Sequence, residues 1–166
     1  VGDIETVTGQ LVEAAARHTW RDSEWLQELR AERDAQSEWL QSLAADEAPM
    51  HAMKVHKMLE PFLSADDCLV FDGGDFCHFG RAFHPALLPK RWFYVSPLGM
   101  LGTGLPTALA AKLAHPDRRV FLLTGDGSFG FNAMEFDTAV RHNLPIIGIL
   151  GNDAAWGIDR QIQLGV

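Results

Sequence analysis

Two short apolar runs, each leading to an oxygen-bearing side chain, limit the folds open to this chain of 166 residues. The first, Val120-Phe121-Leu122-Leu123-Thr124, reads as a buried strand and runs into Gly125-Asp126-Gly127-Ser128-Phe129. The second, Ile146-Ile147-Gly148-Ile149-Leu150, reads the same way and leads into Gly151-Asn152-Asp153, with Asn152 26 positions after Asp126. Between them Phe131 to His142 read as a helix with Asn132 as its N-cap. In a parallel sheet such a unit puts both strand ends on one edge, where doubly wound folds bind their ligands. One carboxylate and one amide oxygen suit a hard cation that keeps part of its shell for phosphates, as Mg2+ does. Glycine on both sides of Asp126 permits close backbone approach, and free N–H groups at Gly127-Ser128 favour an anion. A lone Gly-Asp-Gly is also a common turn. Its position after a strand, with Asn at the end of the next, is what points to a site.

From Met50 onward helix and strand patterns alternate: helix 51–63, strand 68–71, helix 76–83, strand 92–95, helix 103–114, strand 119–124, helix 132–142 and strand 145–150. That order predicts an α/β fold, a doubly wound parallel sheet with helices on both faces. Residues 7–46 differ, being rich in Ala, Glu, Gln, Arg and Leu, with Trp20, Trp25, Leu26, Leu29, Trp39, Leu40 and Leu43 at helical spacing. They read as a helical linker, residues 1–47, ahead of a domain over 48–166. The Trp stripe reads as packing rather than a cofactor box. Val1-Gly2-Asp3-Ile4 and the helix pattern from Trp156 to Val166 look cut, so a fragment truncated at its C-terminus is expected.

Composition excludes more than it selects. With 47% apolar residues the chain can bury about 70% of its unfolded surface. A net charge of −8 argues against a general nucleic-acid or anionic-membrane surface. No run of 18 apolar residues spans a membrane, and no signal peptide opens the chain. Cys68 and Cys77 lack CxxC spacing and read as reduced thiols of a cytoplasmic protein. The histidines show no zinc-ligand pair, and Ser128 has no base in its sequence context. One rival reading survives here: Gly99-x-x-Gly102-x-Gly104 opens a helix, with Asp126 about 20 residues on, as in nicotinamide-dependent oxidoreductases. Its glycine order is wrong for G-x-G-x-x-G, and it leaves Asn152-Asp153 unexplained.

Gly125-Asp126-Gly127-Ser128 … Gly151-Asn152-Asp153 closely resembles the metal and diphosphate signature of thiamine diphosphate (ThDP) enzymes. Within them the chain is similar to the acetolactate synthase-like group, which includes 2-hydroxyacyl-CoA lyases and oxalyl-CoA decarboxylases. The resemblance covers roughly residues 48–166. It implies Mg2+ held by the side chains of Asp126 and Asn152 and the carbonyl of Ala154, where the family often has Gly. Gly151 stands where the family usually has a first Asn. Gly125, Gly127 and Ser128 would meet the diphosphate. Pro97 to Pro106 resembles the stretch around the aminopyrimidine ring, with a carbonyl acceptor at Gly99, an N–H donor at Leu101, and the Leu101 side chain as the wedge that bends the cofactor. Asp72 to Arg81 looks like the loop that approaches the diphosphate, through Gly74, Asp75 and Phe76; a structural hydrogen bond is the alternative for Asp75. Trp156 would line the pocket or simply pack.

The resemblance further implies an enzyme that makes or breaks a carbon–carbon bond beside a carbonyl, acting on a 2-oxo acid or an acyl-CoA. It also implies assembly as a homodimer or homotetramer. No catalytic residue is expected in this chain, because the family's activating glutamate lies on another domain. Glu135 is too close in sequence to the metal loop and reads as a residue near a helix N-terminus. A non-catalytic regulatory domain that kept a cofactor fold is the alternative from another class.

Overall fold

Cys68 to Phe71 and Val120 to Leu123 are apolar on both strand faces, so helices must cover the sheet on each side. The computed structural model describes residues 2–94 and 98–165. Val1, Val95, Pro97 and Val166, which carry the expected chain ends, the end of strand 92–95 and the start of the aminopyrimidine stretch, lie outside the described residues. The chain divides into two units, Val1–Gln36 and Ser37–Val166.

The first unit holds α1 (Ile4–Ala16) and the start of α2 (Glu24–Ser42). A single helical segment over 7–46 is therefore not what forms. Asp3 caps α1 by accepting from the Thr6 N–H at 2.8 Å. The Ser23 hydroxyl accepts from the Leu26 N–H at 3.1 Å and starts α2 afresh. Trp20 falls in the intervening turn, its indole donating to the Ala15 carbonyl at 3.3 Å, so the Trp stripe does not run along one helix. Trp20, Trp25 and Trp39 are exposed in this chain, while Leu40 on the last turns of α2 is buried.

The second unit carries α3 (Ala52–Leu59) with a 3-10 turn at Glu60–Phe62, β1 (Cys68–Asp72), α4 (Asp75–Phe83), β2 (Trp92–Tyr94) and α5 (Gly104–Ala114). It continues with β3 (Val120–Gly125), α6 (Asp126–Asn132), α7 (Glu135–Arg141), β4 (Ile147–Gly151) and α8 (Gly157–Leu164). All four strands are parallel, in the order β2-β1-β3-β4. Cys68, Val70, Val120 and Leu122 face α5 and α7; Leu69, Phe71, Phe121 and Leu123 pack with Phe76 and Cys77 of α4 and with α3 side chains. The doubly wound α/β expectation holds.

Two local expectations do not. The helix expected over 132–142 with Asn132 as N-cap is instead two helices. Asn132 ends α6, and its side-chain amide donates to the Gly102 carbonyl. Asn132 lies inside the end of α6 and turns its side chain toward the Gly102 loop, so it does not take the extended backbone of an N-cap. The run at Ile146–Leu150 was expected to be buried, yet β4 pairs only with β3 among the described residues, and Ile147 and Leu150 are about two-fifths exposed. An edge strand is buried only if something covers it.

Under β1 two histidines sit in the apolar layer. His56 donates from Nε2 to the Phe76 carbonyl at 2.8 Å, which leaves its Nδ1 buried without a partner. The Cβ of any residue but glycine at position 80 would lie 2.6 Å from the His56 ring, so Gly80 has a packing reason. Burial, with His56 nearby, pushes His84 down from 6.5 to about 4, and burial lowers His56 as well. The unfolded chain therefore takes up these protons first, near 6.5. Stability should be constant above that value and fall as pH drops from about 6.5 toward 4. Thermal melts across this window should show the loss, and His84→Leu should flatten it. An unchanged slope in the variant would refute the assignment.

Candidate functional site

The strand order places a switch point between β1 and β3, from which the chain leaves β1 toward β2 and later returns to its other side. Crevices of this kind, at the carboxyl ends of the strands, are where open α/β sheets bind ligands. In register, Asp72 lies beside Thr124, and Gly125 beside Gly151, so the loops after β1, β3 and β4 leave together. They enclose a cleft of about 910 Å³, near the top of the about 300–1,000 Å³ range of small-molecule sites.

Of the residues expected at a site, Gly74, Asp75, Phe76, Gly99, Leu101, Gly125, Asp126, Gly127, Ser128, Asn152 and Trp156 all line this cleft. Ala154 does not, although Asp153 and Ala155 on either side of it do. The Ala154 N–H donates to Asn152 Oδ1 at 2.9 Å, closing a turn in which Ala154 takes φ 56°. That left-handed backbone is one that favours glycine, and Ala154 adopts it here.

Close approach governs the floor. At Gly73 (φ 117°) a Cβ would sit 3.0 Å from both the Gly125 nitrogen and Ser128 Oγ. At Gly127 a Cβ would be 2.7 Å from the Trp156 indole nitrogen, so Trp156 lines the cleft and packs on the turn at once. Ser128 is buried near Asp72, and its hydroxyl has no partner within hydrogen-bond geometry among the described residues. An unpaired buried hydroxyl costs about 1–3 kcal/mol unless a ligand or water satisfies it. No group of three His, Cys, Asp or Glu side chains gathers as a metal site among the described residues. A cation held by Asp126 and Asn152 would have one carboxylate and one neutral oxygen, a donor set that fits partly hydrated Mg2+. The residues present fit a metal–diphosphate group.

Residues 72–164 match the family model described as thiamine pyrophosphate enzyme, C-terminal TPP binding domain. The chain belongs to this family. Thiamine pyrophosphate is ThDP under its other name. The chain is 42% identical over 137 residues to the acetolactate synthase large subunit of Mycobacterium tuberculosis, covering 82% of this chain and 25% of that protein. It is 38% identical over 157 residues to human 2-hydroxyacyl-CoA lyase 2, covering 93% of this chain and 25% of that one. The Caenorhabditis elegans 2-hydroxyacyl-CoA lyase 2 matches at 36% over 158 residues, with the same coverage. The chain thus spans about a quarter of the length of the curated relatives it matches.

Within this TPP-binding domain several contacts were not legible in the sequence. Asp72, the last residue of β1, is buried and accepts from Gly104 N–H at 2.6 Å and Gly102 N–H at 3.3 Å. Burial raises its proton affinity, and the two N–H groups, with the nearby Ser128 hydroxyl, oppose the shift. This also disposes of the dinucleotide reading, because the amides of Gly102 and Gly104 point at a protein carboxylate rather than at a ligand phosphate. Asp75 accepts from Gln161 on α8 at 3.1 Å, the structural bond weighed for it, while still bordering the cleft. Burial and the neighbouring Asp153 raise its pKa. Arg81 stacks over Tyr94 at 3.8 Å from the ring centre, and His78 of the cleft wall lies 3.4 Å from the Arg81 guanidinium and 3.4 Å from the Tyr94 hydroxyl. Burial pushes the Cys77 thiol up to about 12, so it is no nucleophile. The only early signal for Asp72 was an acid at the end of an otherwise apolar strand.

Proposed function

We propose that this domain binds ThDP with Mg2+ in the β1–β3–β4 cleft and serves an enzyme that makes or breaks a carbon–carbon bond next to a carbonyl. The observation that carries this is the convergence of Asp126, Asn152 and the unpaired Ser128 hydroxyl with Gly99 and Leu101 on one cleft of a TPP-binding domain. Asp126 and Asn152 hold the metal through side chains, and Ala154 through its carbonyl. Gly125, Gly127 and Ser128 surround the diphosphate from the turn after β3, and Gly74, Asp75 and Phe76 from the loop after β1. The Gly99 carbonyl and Leu101 N–H orient the aminopyrimidine, the Leu101 side chain wedges beneath it, and Trp156 shields the turn from water. When bound, ThDP supplies the nucleophilic carbon and the electron sink.

The first choice of reaction is carboligation or decarboxylation of 2-oxo acids, a reading favoured by the relatives named acetolactate synthase. Cleavage of 2-hydroxyacyl-CoA, or oxalyl-CoA decarboxylation, is the alternative, supported by the lyase relatives. Both substrate classes are anionic. Arg81 does not line the cleft itself but stacks behind Tyr94, which does, and so lends positive charge to that wall. No glutamate lines the cleft among the described residues, and Glu135 on α7 accepts from the Thr138 hydroxyl at 2.6 Å instead. The activating carboxylate comes, in this reading, from outside this domain. Leu98, Met100 and Trp156 are 82%, 53% and 54% exposed beside the cleft. Such an apolar rim suits a covering partner domain in a homodimer or homotetramer. Residues 1–47 act as the linker, and the cytoplasm is the compartment. No helix of the described residues is long and apolar enough to cross a membrane.

Titration with ThDP and Mg2+, followed by Trp fluorescence, should give saturable binding, whereas NAD(H) should give none. Pyruvate and 2-hydroxyacyl-CoA assays of the loaded enzyme then separate the two reactions. In that enzyme Leu101→Ala should lower turnover about tenfold or more while ThDP affinity changes less, because the ring contacts at Gly99 and Leu101 are backbone. Full turnover in a folded variant would refute the wedge.

A further inference from the structure

The loop that carries Gly99 and Leu101 is lightly built. Leu98 and Gly99 are exposed, and Gly99 takes φ 62°. Among the described residues, hydrogen bonds from the 98–102 stretch to other elements are confined to the Gly102 peptide. Its N–H donates to Asp72 at the end of β1, and its carbonyl accepts from the Asn132 side-chain amide at the end of α6. Gly102 itself has φ 87°, and a Cβ there would lie 2.5 Å from Phe131 Cβ, so this peptide is wedged against α6 as well as bonded to it. The same α6 begins at Asp126. Asp72 also takes the Gly104 N–H, so one buried carboxylate holds the exit of the loop where α5 starts.

We propose that Asp72 and Asn132 are positioning residues that grip the Gly102 peptide from opposite ends, setting the aminopyrimidine loop against the metal turn before the cofactor arrives. This rests on the cofactor reading above. The two halves of the cradle lie on different loops, and a ligand that touches both loses affinity if their spacing is loose, whereas one that touches only the metal turn does not. Asn132 reaches the loop through a single side-chain bond, and its removal leaves the core intact. Asp72→Asn has one acceptor oxygen in place of two and brings an NH2 group against a backbone N–H.

The test uses the full 166-residue chain and three readouts. Hydrogen exchange without ligand follows the Gly102 amide, and NMR titrations follow ThDP with Mg2+ and inorganic pyrophosphate with Mg2+. Asn132→Ala and Asp72→Asn should each speed Gly102 exchange about tenfold or more and weaken ThDP binding about tenfold, with pyrophosphate affinity unchanged within about twofold. Should Asp72→Asn fail to fold, Asn132→Ala alone decides. Wild-type ThDP affinity in folded Asn132→Ala, or an equal loss for ThDP and pyrophosphate, overturns the proposal while leaving the cofactor reading standing. Failure of the unsubstituted chain to bind either ligand overturns the cofactor reading and this inference with it.

Discussion

Asp126→Ala is expected to abolish Mg2+-dependent ThDP binding while the domain stays folded. Asp126 opens α6 immediately after β3, is half-buried, and lines the cleft beside Asn152. It supplies the one charged oxygen of the proposed set of Asp126, Asn152 and the Ala154 carbonyl. Removing it leaves neutral donors facing a divalent cation, and the metal is what neutralises a diphosphate in a cleft also lined by Asp75, Asp153 and Asp159. Affinity should fall about 100-fold or more, against about tenfold for Asn152→Ala, where a neutral ligand goes. The carboxylate makes no protein hydrogen bond among the described residues, so thermal stability should change little. Isothermal titration with ThDP and Mg2+ measures the first effect and a thermal melt the second. Unchanged affinity in Asp126→Ala would remove the basis of the metal site.

Gly104→Ala should do the reverse and damage the fold. The added Cβ would fall well inside contact distance of Asp72 Cβ, and 2.9 Å from Leu122 Cδ1. Both neighbours are buried in the sheet and cannot yield. Overpacking of this kind costs about 1–3 kcal/mol or more. Displacing Asp72 also strips a buried carboxylate of the N–H groups that solvate it, which adds a comparable penalty. A loss of roughly 10 °C or more in Tm is expected. Gly9→Ala is the control. Gly9 lies in α1, where a Cβ meets nothing within 4 Å, so the same change should be neutral or stabilise by about 0.5–1 kcal/mol. Equal Tm values for the two variants would mean that the Gly104–Asp72 packing carries no stability.

What could be read in advance was local. Strands β1 and β3 were legible as runs with no polar interruption, and the ligand candidates Asp126 and Asn152 as the residues that follow the runs. Parallel pairing then had to bring those ends to one edge, because crossovers through a helix return each strand in the same direction. Cofactor class followed from these few positions, and the match over residues 72–164 bears it out. What could not be read was long-range. Phe131 to His142 carry an unbroken helical pattern, yet α6 ends at Asn132, whose side-chain amide donates to the Gly102 carbonyl 30 residues away. The apolar run at Ile147–Gly151 says that a strand forms there. It does not say that the strand has one neighbour, since hydrophobicity records what a residue prefers and not what covers it. Asp72 is the clearest case. Its sequence context shows an acid after four apolar residues, but its partners are glycine amides 30 and 32 positions on, with nothing in their side chains to announce them. Sequence alone determined the parallel sheet, the turn that follows β3 and the family. The tertiary structure decided which buried polar groups satisfy one another, because backbone amides are present at every position and only folding selects which of them meet.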